Sequence, residues 1–546
     1  MTGTTARLRP SPAPAAGAAA ADRARLAGVS LEAGLAFLLA ALYLGTLVRL
    51  VHILGGGSFP LNDGGMFYAM VSDVKANGYA LPRFTSYNGG EIPFAYSPLT
   101  FYATALLSET GLVSILDLLR FLPFVASILT VPAFFLLATS LLPDRRAAGL
   151  ATVLFALLPR AFDWQIVGGG LTRSFGLLFA LLALSALYAC VRAPSWRRSL
   201  GGGALLGVTA LCHMEMAWFA GFSYAAVLVA YGRTPASVRH ATLSLAAAAA
   251  ISAPWWGTVL AVHGAEPFLA AMDSAEHSFL APLKLLFVGF TNEPFFPLVV
   301  ALGLLGLFGS MVDRRFFLPA WLLLIFVLDP RKAPTYATVP LSMLAAYGVY
   351  TLLQPRLQGS VAQAGRAAPP WASKAVLASL IAYATLGGLG ASAAPGSPLV
   401  SLPADERATF AWIAANTPAE ARILAVTGDT FFATDPRSEW LPALTGRRSV
   451  ATVQGSEWLA GDRGMVATRA RYDELQDCAA AGTDCLSEWG ARNGLQFDYV
   501  YVAKSDGEGP RDGRDCCAAL RAALREDASY ALVYEGRSAE VYRRIP

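Results

Sequence analysis

Apolar runs bounded by charged or helix-breaking residues recur along the chain from Leu31 to about Ala393 and then stop. About 20 consecutive apolar residues cross a bilayer core of about 30 Å as an α-helix. Eleven spans are predicted on this basis, at roughly 31–54, 118–142, 147–160, 171–191, 199–214, 216–232, 241–262, 295–311, 316–328, 335–353 and 375–393. Several are short for a full crossing, so broken helices are expected among them. The stretch 55–117 is far longer than the other connections, and Met66-Phe67-Tyr68-Ala69-Met70 predicts a helix over 64–76 within it. The helices of this loop are expected to lie along the membrane interface, aromatic faces among the headgroups. A re-entrant segment is expected at 282–294, closed by Glu293.

Beyond residue 393 the pattern changes. Helical stretches near 405–416, 466–480 and 514–526 alternate with strand-like Ile423–Val426, Ser449–Val453 and Tyr499–Val502, and two more strands follow near 530–534 and 539–543. The expected fold class is an α-helical polytopic membrane protein of about eleven transmembrane helices with a C-terminal extracytoplasmic α/β domain. Its parts are a disordered cytoplasmic leader (1–28), a membrane domain (29–393) and the α/β domain (394–546).

Composition agrees with this division and charge orients it. The 546 residues are 55% hydrophobic and 15% charged, against about 25% charged in soluble proteins. Residues 1–393 carry 25 Lys/Arg and 16 Asp/Glu; residues 394–546 carry the remaining 17 and 22. With the amino terminus inside, sixteen Lys/Arg of the membrane part fall on inner segments and eight on outer ones, with Arg49 inside the first span. The positive-inside rule favours that orientation, and an odd number of spans then places the tail outside. The basic residues are scattered over short loops, so no nucleic-acid partner is implied. Four of the six cysteines (Cys478, Cys485, Cys516 and Cys517) lie in the tail, where an oxidising compartment permits disulfides in any of three connectivities. Cys478 and Cys485 can close a small loop, whereas the adjacent Cys516 and Cys517 are expected to pair with other cysteines. The expected location is a bacterial inner membrane.

This orientation collects candidate chemistry on the outer face. Asp63, in Asn62-Asp63-Gly64-Gly65, follows the first span; its carboxylate could accept a proton from a hydroxyl, bind a divalent metal such as Mg or Mn, or cap the helix over 64–76. Asp163 lies in the second outer loop, ahead of Gly168-Gly169-Gly170 and Arg173. A glycine run before a helix can present N–H groups to an anion, and an anion or Asp163 would account for a cation in that helix's first turn. His213 and Glu215 fall where two spans meet, at membrane depth, where ionisable groups are functional candidates and a lone histidine is often structural. Arg331 and Lys332 sit outside against the charge rule, suited to a phosphate, a headgroup or Asp329. In the tail, Glu439-Trp440 and Glu457-Trp458 are acidic–aromatic pairs that could stack on a sugar or simply pack.

An aspartate soon after the first span, a large outer loop ending in Tyr96-Ser97-Pro98-Leu99, and an acidic second loop resemble the GT-C superfamily of integral membrane glycosyltransferases. The segment 61–102 and Arg160-Ala161-Phe162-Asp163 most resemble its oligosaccharyltransferase-like branch, and the protein mannosyltransferases are further members. The resemblance implies transfer of a sugar from a polyprenyl phosphate or pyrophosphate to a glycan, lipid or protein acceptor. It makes Asp63 the base or metal ligand, Asp163 the second-loop acid and Arg331 the holder of the lipid phosphate. Lys332, Arg173, Tyr96, Glu215 and His213 join them as candidate substrate-binding residues. Asp63 has no adjacent acidic partner, the second loop has no Asp-x-Asp, and the tail has no Trp-Trp-Asp. A divalent metal on Asp63 and Asp163 therefore stays an open alternative, and asparagine glycosylation is not implied. The alternative is a non-catalytic lipid-linked-glycan transporter or a scaffold for envelope assembly; a transporter would place polar groups near the bilayer midplane.

Overall fold

The computed structural model describes residues 16–55, 59–273, 288–356, 371–391, 402–504 and 515–545. Helix α1 (Ala16–Gly55) begins well before the first apolar run, so residues 16–28 of the expected disordered leader are helical, and residues 1–15 lie outside the described residues. Next come α2 (Gly64–Ala76), a small hairpin of β1 (Phe84–Thr85) and β2 (Ile92–Pro93), and α3 (Leu99–Glu109). The bundle continues with α4 (Ile115–Leu141), α5 (Arg145–Leu157), α6 (Pro159–Phe162), α7 (Gly170–Arg192), α8 (Trp196–Cys212), α9 (Met214–Tyr231) and α10 (Pro235–His263). It ends with α11 (Glu266–Asp273), α12 (Leu298–Val312), α13 (Phe317–Leu328), α14 (Ala333–Gly348) and a last long helix over Ala372–Gly390.

Each of the eleven expected spans falls on a helix, and among the described residues seven helices are long and apolar enough to cross a membrane. An eighth is the bent pair Arg145–Leu157 and Pro159–Gln165, broken by 77°. Helices α8, α12 and α13 have 17, 15 and 12 residues, too short for a straight crossing. The protein is thus a multi-pass membrane protein. The segment expected to re-enter the membrane lies partly outside the described residues (282–287). In the described part, Glu293 accepts the Val299 N–H at 3.1 Å and the Thr291 hydroxyl at 2.9 Å, tying the start of α12.

Two packing devices hold the bundle. Helix α14 is buried all round, and it approaches α12 where glycines allow backbone contact: a Cβ on Gly348 would lie 2.9 Å from Gly306 N. Arg49, the cation inside the first span, is fully buried and binds Ser127 Oγ at 2.9 Å, Gly45 O at 3.0 Å and Ala156 O at 2.7 Å. Ala156 lies in the last turn of α5, whose carbonyls have lost their helical partners at the bend. A cation there satisfies one of them and complements the helix dipole.

Helix α2 turns its apolar face into the protein, not out toward headgroups. Its apolar face (Met66, Phe67, Met70, Val71 and Val74) is buried, with the Phe67 ring 4.9 Å from Phe101 and 5.2 Å from Tyr96. What covers the loop is the C-terminal domain. That domain is a five-stranded sheet in the order β4-β3-β5-β7-β6, from β3 (Arg422–Val426), β4 (Arg448–Ser449), β5 (Tyr499–Ala503), β6 (Tyr530–Glu535) and β7 (Ala539–Arg544). Strands β4, β3 and β5 are parallel; β7 and β6 close one edge antiparallel. Alternation along β3 and β5 turns Leu424, Val426, Val500 and Val502 to one core, and Ile423, Ala425, Tyr499 and Tyr501 to the other. The second core also takes in Phe59 and Leu61 of the first loop and Trp440, so the domain docks directly on the segment that precedes Asp63.

Disulfides join Cys478 to Cys485 and, contrary to the expectation of more distant partners, Cys516 to its neighbour Cys517. With the first pair closed, Cys516 and Cys517 have only each other among the described tail cysteines; the other two cysteines, Cys190 and Cys212, are buried in α7 and α8.

Candidate functional site

Asp63 occupies the N-cap position of α2, but its side chain makes no capping hydrogen bond to the described residues. A capping residue adopts extended backbone; Asp63 has φ 75° and Asn62 before it φ 61°, both left-handed. Asn and Asp tolerate that region best among residues with a Cβ, yet two in succession cost on the order of 1–3 kcal/mol each and persist only where surroundings enforce them.

Three contacts enforce them here. Glu439, fully buried in the helix Pro436–Thr445 of the C-terminal domain, accepts the Asn62 N–H at 2.9 Å and the Gly65 N–H at 3.1 Å. The second loop pairs with the first: the Gly168 N–H donates to Leu61 O at 2.8 Å and the Gly169 N–H to Asn62 O at 2.5 Å. Arg173, buried at the start of α7, donates to Gly169 O at 3.1 Å and to the Asn62 side-chain carbonyl. An ordinary hydrogen bond contributes about 0.5–1.5 kcal/mol net, so the Glu439 pair offsets part of the strain and the loop pairing and Arg173 contribute the rest.

These contacts revise the role of the glycines. The N–H groups of Gly168 and Gly169 serve Leu61 and Asn62, and that of Gly170 serves Val167 at 2.8 Å, so the run does not present them to an anion. Glycine is needed because two loops touch: a Cβ on Gly168 would lie 2.5 Å from Gly64 Cα. Likewise Gly64 and Gly65 are not flexible spacers, since a Cβ on Gly65 would lie 2.8 Å from Glu439 O.

Around the Asp63 carboxylate the protein gathers charge. Burial pushes its carboxyl above the ordinary aspartate value, the cations Arg173, Lys332 and Arg331 pull it down, and Glu215 pushes it up. Arg331 and Lys332, between α13 and α14, both pair with Glu215: Arg331 through a direct hydrogen bond and Lys332 at 3.5 Å. Asp329, the partner considered from sequence, instead accepts the Lys332 backbone N–H at 3.1 Å. His213 accepts the Met216 N–H at 3.3 Å and so caps α9, which brings Glu215 to the mouth of the bundle. Tyr96 donates to Glu457, its ring 4.8 Å from Trp458. Burial and the Asp63 charge raise the Glu457 carboxyl to about 7 and the Glu439 carboxyl to about 8. Trp440 and Trp458, considered as sugar-stacking surfaces, are both buried and pack on Phe59 and Tyr96.

Asp163 is placed differently. It is buried, with one oxygen accepting the Trp164 N–H at 2.7 Å and the other the Asn292 amide at 2.7 Å. Trp164 lies between Arg160 and Arg173, at 5.6 and 5.9 Å. Among the described residues no group of three or more His, Cys, Asp or Glu side chains converges as a metal site. Asp163 has one hydrogen-bond partner on each oxygen, and Asp63 stands in the field of three cations.

The raised carboxyl has a consequence for pH. An acid with a raised folded-state value favours folding most when protonated, and that contribution is lost as pH rises from the ordinary value, 3.8, through the raised one. A base, by contrast, works only above the raised value. The acid limb of an activity profile should therefore lie above pH 3.8, and removing the Arg331 charge should move it higher. A limb at or below the ordinary aspartate value would show that Asp63 is not the titrating group.

No family model matches the sequence, and no curated protein matches it. Solved structures do. The archaeal oligosaccharyltransferase AglB from Archaeoglobus fulgidus, in complex with an inhibitory peptide and a dolichol-phosphate, aligns with a TM-score of 0.55 at 12% identity, over 86% of this chain and 69% of that one. The arabinofuranosyltransferase AftD from Mycobacteria aligns at 0.58 with 16% identity, over 93% of this chain and 40% of that one. ArnT from Cupriavidus metallidurans, bound to undecaprenyl phosphate, aligns at 0.52 with 15% identity, over 93% and 97%. The fold is therefore that of the GT-C membrane glycosyltransferases, the architecture the sequence resemblance implied.

Proposed function

We propose that this GT-C-fold protein is a glycosyltransferase that moves a sugar from a polyprenyl-(pyro)phosphate donor to an acceptor hydroxyl, at the membrane face bearing the C-terminal domain. The observation that carries the reading is a strained, uncapped carboxylate, Asp63, held beside a cation cluster that has donors to spare. Arg331 Nε and the hydroxyl of Tyr336 in α14 have no hydrogen-bond partner among the described residues, although both atoms are buried. The Tyr336 hydroxyl stands in the field of Asp329, Glu215 and Arg331. Buried unsatisfied donors next to cations are what an incoming phosphate would satisfy.

Asp63 takes the proton of the acceptor hydroxyl as its oxygen bonds to the anomeric carbon. The bond from that carbon to the phosphate oxygen breaks, and the electron pair leaves with the lipid phosphate. Arg331 and Lys332 stabilise that charge, loosening their hold on Glu215 as they do so. Arg173 keeps the Asn62-Asp63 loop in place, and the Tyr96–Glu457 pair stands in the field of the Asp63 charge. The positive-inside pattern and the exported disulfides support an extracytoplasmic site in a bacterial inner membrane.

Arg331→Ala should weaken undecaprenyl phosphate binding by roughly tenfold to a hundredfold, the range of about 1.5–3 kcal/mol for a hydrogen bond to a charged group. Binding to purified protein measures this directly; unchanged affinity would remove Arg331 from the phosphate site.

A further inference from the structure

Helix α2 has a cap, and it comes from another domain. We infer that Glu439 of the C-terminal domain is the positioning residue for Asp63: it caps α2 across the domain boundary and so leaves the Asp63 carboxylate free for the acceptor.

The inference rests on the reading of Asp63 as the base, and the geometry behind it is specific. A lone aspartate at an N-cap position ordinarily binds its own helix's N–H groups from extended backbone. At Asp63 the backbone is left-handed and the side chain makes no such bond to the described residues. The two oxygens that do the capping belong to a residue more than 370 positions away, at 2.9 Å from Asn62 N and 3.1 Å from Gly65 N. Glu439 is itself fixed on several sides. Asp435 caps its helix through Arg437 N at 3.0 Å and Ser438 N at 3.2 Å. The Tyr87 hydroxyl donates to Glu439 O at 2.7 Å, and the neighbouring Trp440 indole donates to Pro60 O at 3.2 Å. Pro60 and Tyr87, on either side of α2, are thus both pinned to one turn of the Pro436–Thr445 helix. Gly64 and Gly65 admit that turn, because a side chain at Gly65 would meet Glu439 O. If Glu439 were absent, Asp63 could relax to extended backbone and cap α2 itself, which withdraws its carboxylate from the acceptor. Docking of the C-terminal domain and competence of the base are then a single event.

The test compares full-length wild type with Glu439→Ala, Glu439→Gln and Asp63→Asn proteins in detergent. Backbone hydrogen exchange over residues 60–66 is read with undecaprenyl phosphate affinity and with transfer in cells. Glu439→Ala should speed exchange at Asn62 and Gly65 by roughly tenfold or more, leave exchange in β3 and β5 and undecaprenyl phosphate affinity unchanged, and reduce transfer through kcat. Glu439→Gln, which keeps the volume and one acceptor oxygen, should fall between and separates loss of the cap from a cavity left by alanine. Unchanged exchange over 60–66 in both variants, or full transfer despite accelerated exchange, overturns the inference. Full transfer by Asp63→Asn would instead sink the base reading, and the exchange result would still decide whether Glu439 is the cap.

Discussion

An Asp63→Asn protein is expected to insert, fold and bind undecaprenyl phosphate like the wild type, and to lose roughly 10²–10⁴-fold in transfer rate, the usual contribution of a positioned general base. Stability should change little or improve, because the Asp63 side chain caps nothing among the described residues and its charge is destabilised by burial. Asparagine also tolerates the left-handed backbone that Asp63 adopts at φ 75°. That combination separates chemistry from architecture: a residue needed for folding would lose both together. Measured side by side, a melting transition kept and a transfer rate lost would mark Asp63 as a group that acts on substrate. A transporter of lipid-linked glycan would keep moving its cargo through this substitution.

Gly168→Ala is expected to disable the site with a single methyl group. The added Cβ would lie 2.5 Å from Gly64 Cα and 2.9 Å from Leu61 O, all of it backbone, so no side chain can swing aside. The two loops must separate, which costs on the order of 1–3 kcal/mol or more for overpacking, and the Gly168–Leu61 and Gly169–Asn62 hydrogen bonds go with them. Asp63 then shifts by about an ångström, a displacement that can lower a rate roughly 10²-fold. Undecaprenyl phosphate affinity should survive, since Arg331 and Lys332 stand on a different connection. A variant with wild-type transfer would show that the pairing of the two loops does not set the position of Asp63.

Much of this was legible in the sequence and some of it could not have been. The spans were readable because hydropathy is local; their true lengths were not, because α8, α12 and α13 end at breaks that apolar composition masks. Asp63, Glu215, Arg331 and Lys332 stood out as charges where the membrane disfavours them, and they do gather. Their pairing does not show in the sequence: the acid near Arg331 in the chain is Asp329, while its partner Glu215 lies 116 residues away. The glycine run was visible but its cause was a second loop, a contact that no window of sequence contains. Helix Pro436–Thr445 was missed although Asp435-Pro436, a cap followed by proline in the first turn, announced it. The acidic–aromatic Glu439-Trp440 pair drew attention to sugar stacking instead. Its cap on α2 joins residues 374 positions apart and was beyond any local rule.

The most direct test of sugar transfer from a lipid-linked donor is the lipid extract of cells that lack the protein, compared with cells restored with wild type or with Asp63→Asn. The expected result is one polyprenyl-linked sugar that accumulates in the deletion, disappears with wild type and persists with Asp63→Asn. An extract with no accumulating lipid-linked sugar, or full clearance by Asp63→Asn, would contradict the account.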